Sequence, residues 1–379
     1  MLGIVTLAPV LDPISPGGAG DALCDLESSR LGQGGPRDLP QRRARPPALH
    51  GRYGAAMRAA VHTRYGPPDV VQVRDVPTPA PGDGELLVRV HATTVNRTDC
   101  HYRSATPFVM RGLSGLTRPK ATILGNEFAG VVEARGAGVS AFAVGDRVFG
   151  YCEGPFGAHA EYLVVAEHHA IAAMPEQHTF VQAAPGTEGS HYALNHLTRA
   201  GVADGQDVLV YGATGAIGSA AVQLVKAIGA TVTAVCGPDH LALVQGLGAD
   251  RVVDYTAGDF TLDAQRYDVV FDAHGTPSYF TCRRLLKPGG RFTSAGPGPH
   301  YVNAVLPLLG PLLGDKRVVF SIPRIDRAMV EHLASLMADG RFTPLVDRTY
   351  PLDDIVAAYR YVEAGQKVGN VVIEVAAEP

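Results

Sequence analysis

The stretch from Val208 to Ile228 constrains this chain more than any other. Val208-Leu209-Val210-Tyr211 is a short apolar run, Gly212-Ala213-Thr214-Gly215-Ala216-Ile217-Gly218 follows as a glycine-rich link, and Ser219 to Ile228 carries Ala220, Ala221, Leu224, Val225 and Ile228 on one face. The pattern predicts a buried strand, a tight turn and a helix, in that order. Glycine lets the backbone approach a bound group, a third glycine lets helix and strand pack closely, and the free N–H groups at the helix start face negative charge. Gly212, Ala213, Thr214, Gly215, Ala216, Ile217 and Gly218 therefore read as a cradle for a dinucleotide pyrophosphate, against the alternative of an ordinary tight turn.

The surrounding sequence repeats the same texture. Asp207–Tyr211, Thr231–Val235, Arg251–Asp254, Asp268–Asp272 and Arg291–Ser294 are short apolar strands separated by helical lengths, which predicts α/β architecture with a doubly wound parallel sheet of Rossmann type over 181–318. Ahead of it, Glu85 to Asn96 alternates apolar and polar residues as a half-buried strand does, and Phe128–Val132, Arg147–Tyr151 and Ala160–Val165 are further short β-rich runs. These predict a β-rich domain over 57–180. Residues 319–379, with helices at Ala328–Leu336 and Leu352–Val362, read as a return to that first domain. Residues 1–56 are rich in Pro, Gly and Arg without a sustained period, so a disordered leader is expected, with the folded chain opening near a second methionine, Met57.

Composition narrows the function classes. With 379 residues and 46% hydrophobic content the chain can bury a large core in two domains, and a net charge of −4 gives no electrostatic footprint for nucleic acid. No run of 18 apolar residues is present, since Val302–Leu313 is broken by Pro307, Gly310 and Pro311, so no membrane partner is expected. Cys24, Cys100, Cys152, Cys236 and Cys282 are scattered without a C-x-x-C pair, which fits a reducing, cytoplasmic setting.

The usual NAD signal is an acidic residue ending the second strand, where it bonds the ribose hydroxyls. That strand ends here at Val235-Cys236-Gly237-Pro238. Without a carboxylate at the tip a 2′-phosphate is not repelled, so NADP(H) is favoured and NAD(H) stays open. Cys236, Gly237, His240 and Tyr255 are the nearby cofactor-binding candidates, and Asp239 counts against the preference for NADP(H).

The order of these segments, together with Val95-Asn96-Arg97-Thr98-Asp99, Leu124-Gly125-Asn126-Glu127-Phe128-Ala129-Gly130, Val144-Gly145-Asp146-Arg147-Val148, Leu247-Gly248-Ala249-Asp250, Lys287-Pro288-Gly289-Gly290 and Gly369-Asn370-Val371-Val372, resembles the medium-chain dehydrogenase/reductase superfamily over residues 57 to 379. The likeness is strongest to its zinc-free, quinone oxidoreductase branch. It implies a GroES-like catalytic domain at 57–180, a Rossmann domain, hydride transfer from NAD(P)H to a small-molecule quinone or carbonyl-conjugated alkene, and a homodimer. At the zinc-ligand places of the alcohol dehydrogenases this chain has Asn96, Asn126 and, near Gly186-Thr187-Glu188, no cysteine; amides are poor zinc ligands, so no zinc is expected.

By the same resemblance Asn96 lies beside the nicotinamide, while Thr98 and His101 fall where the alcohol dehydrogenases keep a proton relay; His101 with Tyr102 is the expected donor. His274, Gly275, Gly296 and Asn370 complete the expected cofactor surface. Other readings stay open. Asn96 and Asp99 can simply cap a turn or helix, and His101 can be a solvated loop residue. Glu127 and Glu188 with His191 could form a metal cluster, though Glu127 matches a structural carboxylate of the family. Phe108, Met110, Tyr151 and the 300–323 stretch are expected to shape the acceptor pocket. An enoyl-thioester or polyketide-type enoyl reductase, and a non-catalytic NADPH-binding protein, are the competing functions.

Overall fold

Two sheets organise the chain. The computed structural model describes residues 54–296, 298, 302–307 and 314–376; the expected leader at 1–56 lies outside them except for its last three residues, as does part of the 300–323 stretch. Strands β1 (Ala56–Val61) and β2 (Gln72–Pro77) form an antiparallel ribbon. Next come β3 (Glu85–Val95), helices α1 (Arg97–Ser104) and α2 (Met110–Ser114), and strands β4 (Glu127–Arg135), β5 (Arg147–Tyr151), β6 (Tyr162–Ala166) and β7 (Ala170–Ala173). Helices α3 (Phe180–Ala183) and α4 (Glu188–Ala200) lead into the second sheet.

That sheet holds β8 (Asp207–Tyr211), β9 (Thr231–Cys236), β10 (Arg251–Asp254), β11 (Tyr267–Asp272), β12 (Leu286–Ser294) and β13 (Arg317–Val319), with α5 (Ala216–Ile228), α6 (Leu241–Gly246), α7 (Tyr279–Cys282) and α8 (Val302–Val305) between them. All six strands are parallel in the order β10-β9-β8-β11-β12-β13, the doubly wound arrangement the apolar spacing predicts. The order reverses between β8 and β11, and open α/β sheets bind ligands outside the strand ends at such a point.

After α9 (Arg327–Ala338), strand β14 (Val346–Pro351), helix α10 (Ile355–Glu363) and strand β15 (Asn370–Glu374) bring the chain back. Strand β15 pairs with β3, giving a mixed sheet of order β14-β15-β3-β4-β5-β7 with β6 also on β3. Strand β3 was expected half-buried and is instead covered on both faces from Leu86 onward, save for Arg89. The reason is that its polar positions are spent internally: Thr93 Oγ1 donates to the Glu127 carbonyl at 2.6 Å, Thr94 Oγ1 to the Glu127 carboxylate at 2.6 Å, and the His91 ring stacks on Phe180 at 4.3 Å. Alternation thus marks hydrogen-bonding capacity here, not a wet face.

A single apolar core crosses between the sheets. Ala92, Ala129 and Phe149 of the mixed sheet and Val208, Val210 and Phe271 of the parallel one join through Ala193 and Leu197 of α4 and Leu224 of α5. At about 1.5–3 kcal/mol for each fully buried large aliphatic or aromatic side chain, this shared core fixes α4 and α5 against each other.

Candidate active site

Helix α5 opens on Gly215, an extended residue that offers no side-chain cap, so the first N–H groups of the helix remain available. A Cβ at Gly218 would lie 2.1 Å from the Gly212 carbonyl oxygen, whereas one at Gly215 would meet nothing closer than that oxygen at 3.8 Å. The third glycine is therefore a packing requirement, and the middle one faces open space. Gly212 and Ala213 N–H both donate to Val235 O, at 3.1 and 3.2 Å, which ties the turn to β9.

Asp272, at the end of β11, organises the neighbouring turn. Its Oδ1 accepts from His274 N at 3.0 Å and Gly275 N at 2.8 Å, and its Oδ2 from Ser294 Oγ at 2.7 Å. His274 lies against Gly212 and bonds Thr276, and Gly275 abuts Gly296, so both candidate turns meet at the switch point. At the tip of β9, Cys236 is buried and Gly237 faces the Tyr255 hydroxyl, while Tyr255 is half exposed and His240 stands at the start of α6. Asp254, at the tip of β10, is held by Thr256 N and Oγ1 at 2.7 and 2.8 Å.

Asn370 is buried and its Nδ2 donates to Leu345 O at 3.0 Å inside the return segment. The preceding residue contacts the turn: Gly369 N donates to Thr214 O at 2.7 Å, and Gly369 bridges Gly215.

Across from the turn, β3, α1, β4 and α4 bring a set of polar side chains together. Asn96 is the N-cap of α1: its Oδ1 accepts from Asp99 N at 3.1 Å, and Asp99 Oδ2 accepts from Asn96 N at 3.1 Å. Its Nδ2 donates to Asn126 Oδ1 at 2.7 Å, and Asn126 Nδ2 donates on to Glu188 Oε2 at 3.2 Å. Thr98 Oγ1 donates to Glu188 Oε1 at 2.6 Å. Glu127 accepts from Thr187 N at 3.1 Å, Thr187 Oγ1 at 3.0 Å, Glu188 N at 2.5 Å and Thr94 Oγ1 at 2.6 Å.

The charges follow from this packing. Burial and then the Glu127 carboxylate raise Glu188 to about 8. Burial likewise raises Asp99 to about 8. Lys367, on the loop before β15, donates to Gly369 O at 2.5 Å and is lowered to about 8 by burial and by Arg97. Burial raises the phenols of Tyr151 and Tyr192 far above their usual value.

Of the four catalytic candidates, Thr98 enters this cluster directly and Asn96 enters it as a cap whose amide is fully engaged within the protein. Tyr102 sits at its edge, packed against Phe156 at 4.6 Å and beside Glu153. His101 is exposed, with Arg97 and Glu363 as its charged neighbours, and no bond joins it to Thr98 or Tyr102. On α1 it points to a different side of the helix from Tyr102, which is why adjacency in sequence does not make them a pair. Glu188, Tyr192 and Lys367 carry no local motif that marks them for proton transfer; the one signal in the sequence is a carboxyl near the place where the resemblance expects a zinc-binding cysteine.

The sequence matches two family models, the alcohol dehydrogenase GroES-like domain over residues 82–176 and the zinc-binding dehydrogenase over 247–373. It is 30% identical over 331 residues to the 2-methylene-furan-3-one reductase of Solanum lycopersicum, covering 84% of this chain and 79% of that protein. It is 31% identical over 343 residues to the chloroplastic quinone-oxidoreductase homolog of Spinacia oleracea, covering 84% and 98%. The chain belongs to the medium-chain dehydrogenase/reductase superfamily. Among solved structures of the superfamily, the quinone oxidoreductase of Coxiella burnetii superposes with a TM-score of 0.76 at 27% identity, covering 85% of this chain and all of that one.

The resemblance puts the zinc ligands of the alcohol dehydrogenases at Asn96, at Asn126 and at a cysteine that this chain lacks near Gly186-Thr187-Glu188. Asn96 and Asn126 are amides already bonded to each other, and the oxygens of the nearby Glu188 carboxyl are engaged by Asn126 and Thr98. Among the described residues no group of three His, Cys, Asp or Glu side chains is disposed to hold a metal ion. This donor set does not fit zinc.

Proposed function

We propose that this protein is an NAD(P)H-dependent, zinc-independent reductase of quinones or carbonyl-conjugated alkenes. The observation that carries the reading is the Asn96–Asn126–Glu188 hydrogen-bond chain, which stands where a metal would polarise an alcohol, next to an open glycine turn. A site without a Lewis acid favours acceptors that are already electron-poor.

Bound between the sheets, the reduced nicotinamide would supply the hydride. Gly212 to Gly218 would hold its pyrophosphate at the start of α5, with His274, Gly275 and Gly296 along the ribose side. Cys236, Gly237, His240 and Tyr255 would face the adenosine ribose, where the lack of a carboxylate at the tip of β9 favours NADP(H) over NAD(H). Asn96 and Asp99 fix the start of α1, so that Thr98 and Tyr102 line the acceptor side. A homodimer belongs to the same reading.

The test is to mix purified protein with NADPH or NADH and a panel of quinones and enones, following absorbance of the reduced cofactor. Turnover with these acceptors, unaffected by chelator, supports the reading. Activity restricted to simple alcohols and dependent on added zinc would overturn it, and activity on enoyl thioesters alone would move the substrate class to acyl carriers.

A further inference from the structure

Two buried carboxyl groups lie side by side at the start of α4, and their surroundings are unequal. Glu127 faces four donors, two of them backbone N–H groups of the first helical turn, the arrangement that holds a negative charge. Glu188 faces one amide N–H, from Asn126, and otherwise hydroxyl groups, which accept as readily as they donate. Of two neighbouring carboxyls out of water, the one with fewer donors ionises only at raised pH. The charge therefore rests on Glu127 and the proton on Glu188.

With its proton in place, Glu188 Oε1 donates to Thr98 Oγ1 across the same 2.6 Å contact, and the Thr98 hydrogen is released to point away from it. Thr98 is partly exposed, Glu188 is 7% exposed, and the Tyr192 phenol lies within bonding reach of Thr98. The only accessible member of the pair is thus the hydroxyl.

We propose that Glu188 is the acid that protonates the reduced acceptor, acting through the Thr98 hydroxyl. This rests on the function proposed above. An acceptor that has received a hydride carries a negative oxygen. Thr98 passes its hydrogen to that oxygen while taking the Glu188 hydrogen, so one O–H bond forms at the acceptor, one breaks at Glu188, and Thr98 is unchanged. Glu188 is left as a carboxylate and recovers a proton from water before the next cycle. No further oxidant or reductant is needed. Glu188 is a positioning and storage residue for the proton; Thr98 is the group that touches the acceptor.

The groups facing Glu188 are Glu127 from β4, Tyr151 and Glu153 at the end of β5, Tyr192 on α4, Thr98 on α1 and Lys367 before β15. Lys367 titrates in the same range as Glu188, so the experiment must separate the two. With NADPH bound, the infrared spectrum of the wild-type protein is expected to show, besides the band of the protonated Asp99, a second protonated carboxyl band that disappears with rising pH near 8, is missing from Glu188→Gln, where the Asp99 band stays, and persists in Lys367→Met. In steady state, kcat is expected to fall above the same pH. Glu188→Gln and Thr98→Val are each expected to lose about a hundredfold in kcat and to lose that alkaline limb, with NADPH affinity retained, while Thr98→Ser restores both.

A missing second band, or a Glu188→Gln enzyme with wild-type rate and pH profile, overturns the proposal. If the limb vanishes in Lys367→Met and stays in Glu188→Gln, the lysine is the donor and the proposal fails. A wild-type protein that shows the band yet oxidises NADPH with no quinone or enone counts against the proposed function and still upholds the protonated state of Glu188.

Discussion

The backbone N–H of Gly369 donates to the carbonyl of Thr214 at 2.7 Å, so the strand that closes the mixed sheet also touches the glycine turn of the parallel one. Gly369 has φ +76°, and a Cβ there would lie 2.3 Å from Leu345 O. Gly369→Ala therefore costs about 1–2 kcal/mol of backbone strain in addition to the clash, and it moves the Thr214 contact. NADPH affinity is expected to weaken at least about tenfold, for about 1.4 kcal/mol lost. Fluorescence of the bound reduced nicotinamide, excited in its own long-wavelength band, reads this directly. Wild-type affinity in a variant with a lowered melting temperature would show that strand and turn are not coupled.

Arg103 fixes the helix that carries Thr98. It is fully buried, pairs with Glu363 at the end of α10, donates to Gly66 O and lies 5.1 Å from the Tyr359 ring. Breaking a buried pair by removing one partner costs about 3–5 kcal/mol, less here because Glu363 is 36% exposed and can rehydrate. Arg103→Met is expected to lower stability by about 2–3 kcal/mol in urea unfolding. A change under about 0.5 kcal/mol would mean that α1 is held by its cap and its apolar contacts alone.

Much of the framework was legible from pattern alone. Strands at Asp207–Tyr211, Arg251–Asp254 and Arg147–Tyr151 match their predicted bounds, because each is an apolar run closed by turn residues. Helix α5 begins at Ala216, three residues ahead of Ser219, since a helix start is set by the Gly215 backbone and not by the first apolar stripe. The turn at Gly212–Gly218 was readable because close approach leaves a glycine signature. The proton-holding role of Glu188 was not. Its environment depends on Thr98 of α1 and on Asn126 and Glu127 at the start of β4, far apart from α4 in sequence, and no local spacing encodes that meeting. Asn370 illustrates the converse limit: its residue type suits a ligand, and the bond from its Nδ2 to Leu345 O is set by a segment that no local spacing encodes.

Asn126 is the hinge of the amide chain, donating to Glu188 and accepting from Asn96. Asn126→Leu removes both bonds and leaves Asn96 Nδ2 and Glu188 Oε2 short of a partner in a buried site, for an expected loss of about 1–3 kcal/mol. Asn126→Asp keeps the shape but places a third carboxyl beside Glu188 and Glu127. Its stability deficit is expected to grow with pH as that carboxyl is forced to ionise, whereas the leucine deficit stays flat. Denaturant melts of both variants at two pH values separate the cases; parallel curves would deny that the cluster is charge-sensitive.

Stability of the whole chain is expected to peak near pH 6.5. Burial lowers His159, His191 and His196 to about 4 from an ordinary 6.5, so the folded form binds fewer protons than the unfolded one between those values. Their contribution is complete above pH 6.5 and is lost as pH falls toward 4. Asp99 and Glu188 act in the other direction: raised to about 8 from 3.8 and 4.5, they keep protons that the unfolded chain releases, so stability declines as pH rises toward 8. Between about pH 4.5 and 6.5 these three histidines, with His62, His101 and His178 also lowered by burial, outnumber the raised carboxyls Asp99, Glu188, Glu127 and Asp272, and stability climbs; from 6.5 toward 8 the raised carboxyls outweigh the onset of Lys367 titration and it falls. Each proton is worth up to about 1.4 kcal/mol per pH unit. The ion-paired carboxylates Asp250, Asp263 and Asp268 are lowered and lose their contribution only below 3.8, outside this window. Calorimetric melting temperatures across pH 4 to 8 should rise and then fall, and Glu188→Gln should lessen the alkaline slope because one of the raised carboxyls is gone. A melting temperature that keeps climbing past neutrality, or an unchanged alkaline slope in Glu188→Gln, would mean that these two carboxyls ionise freely in the fold.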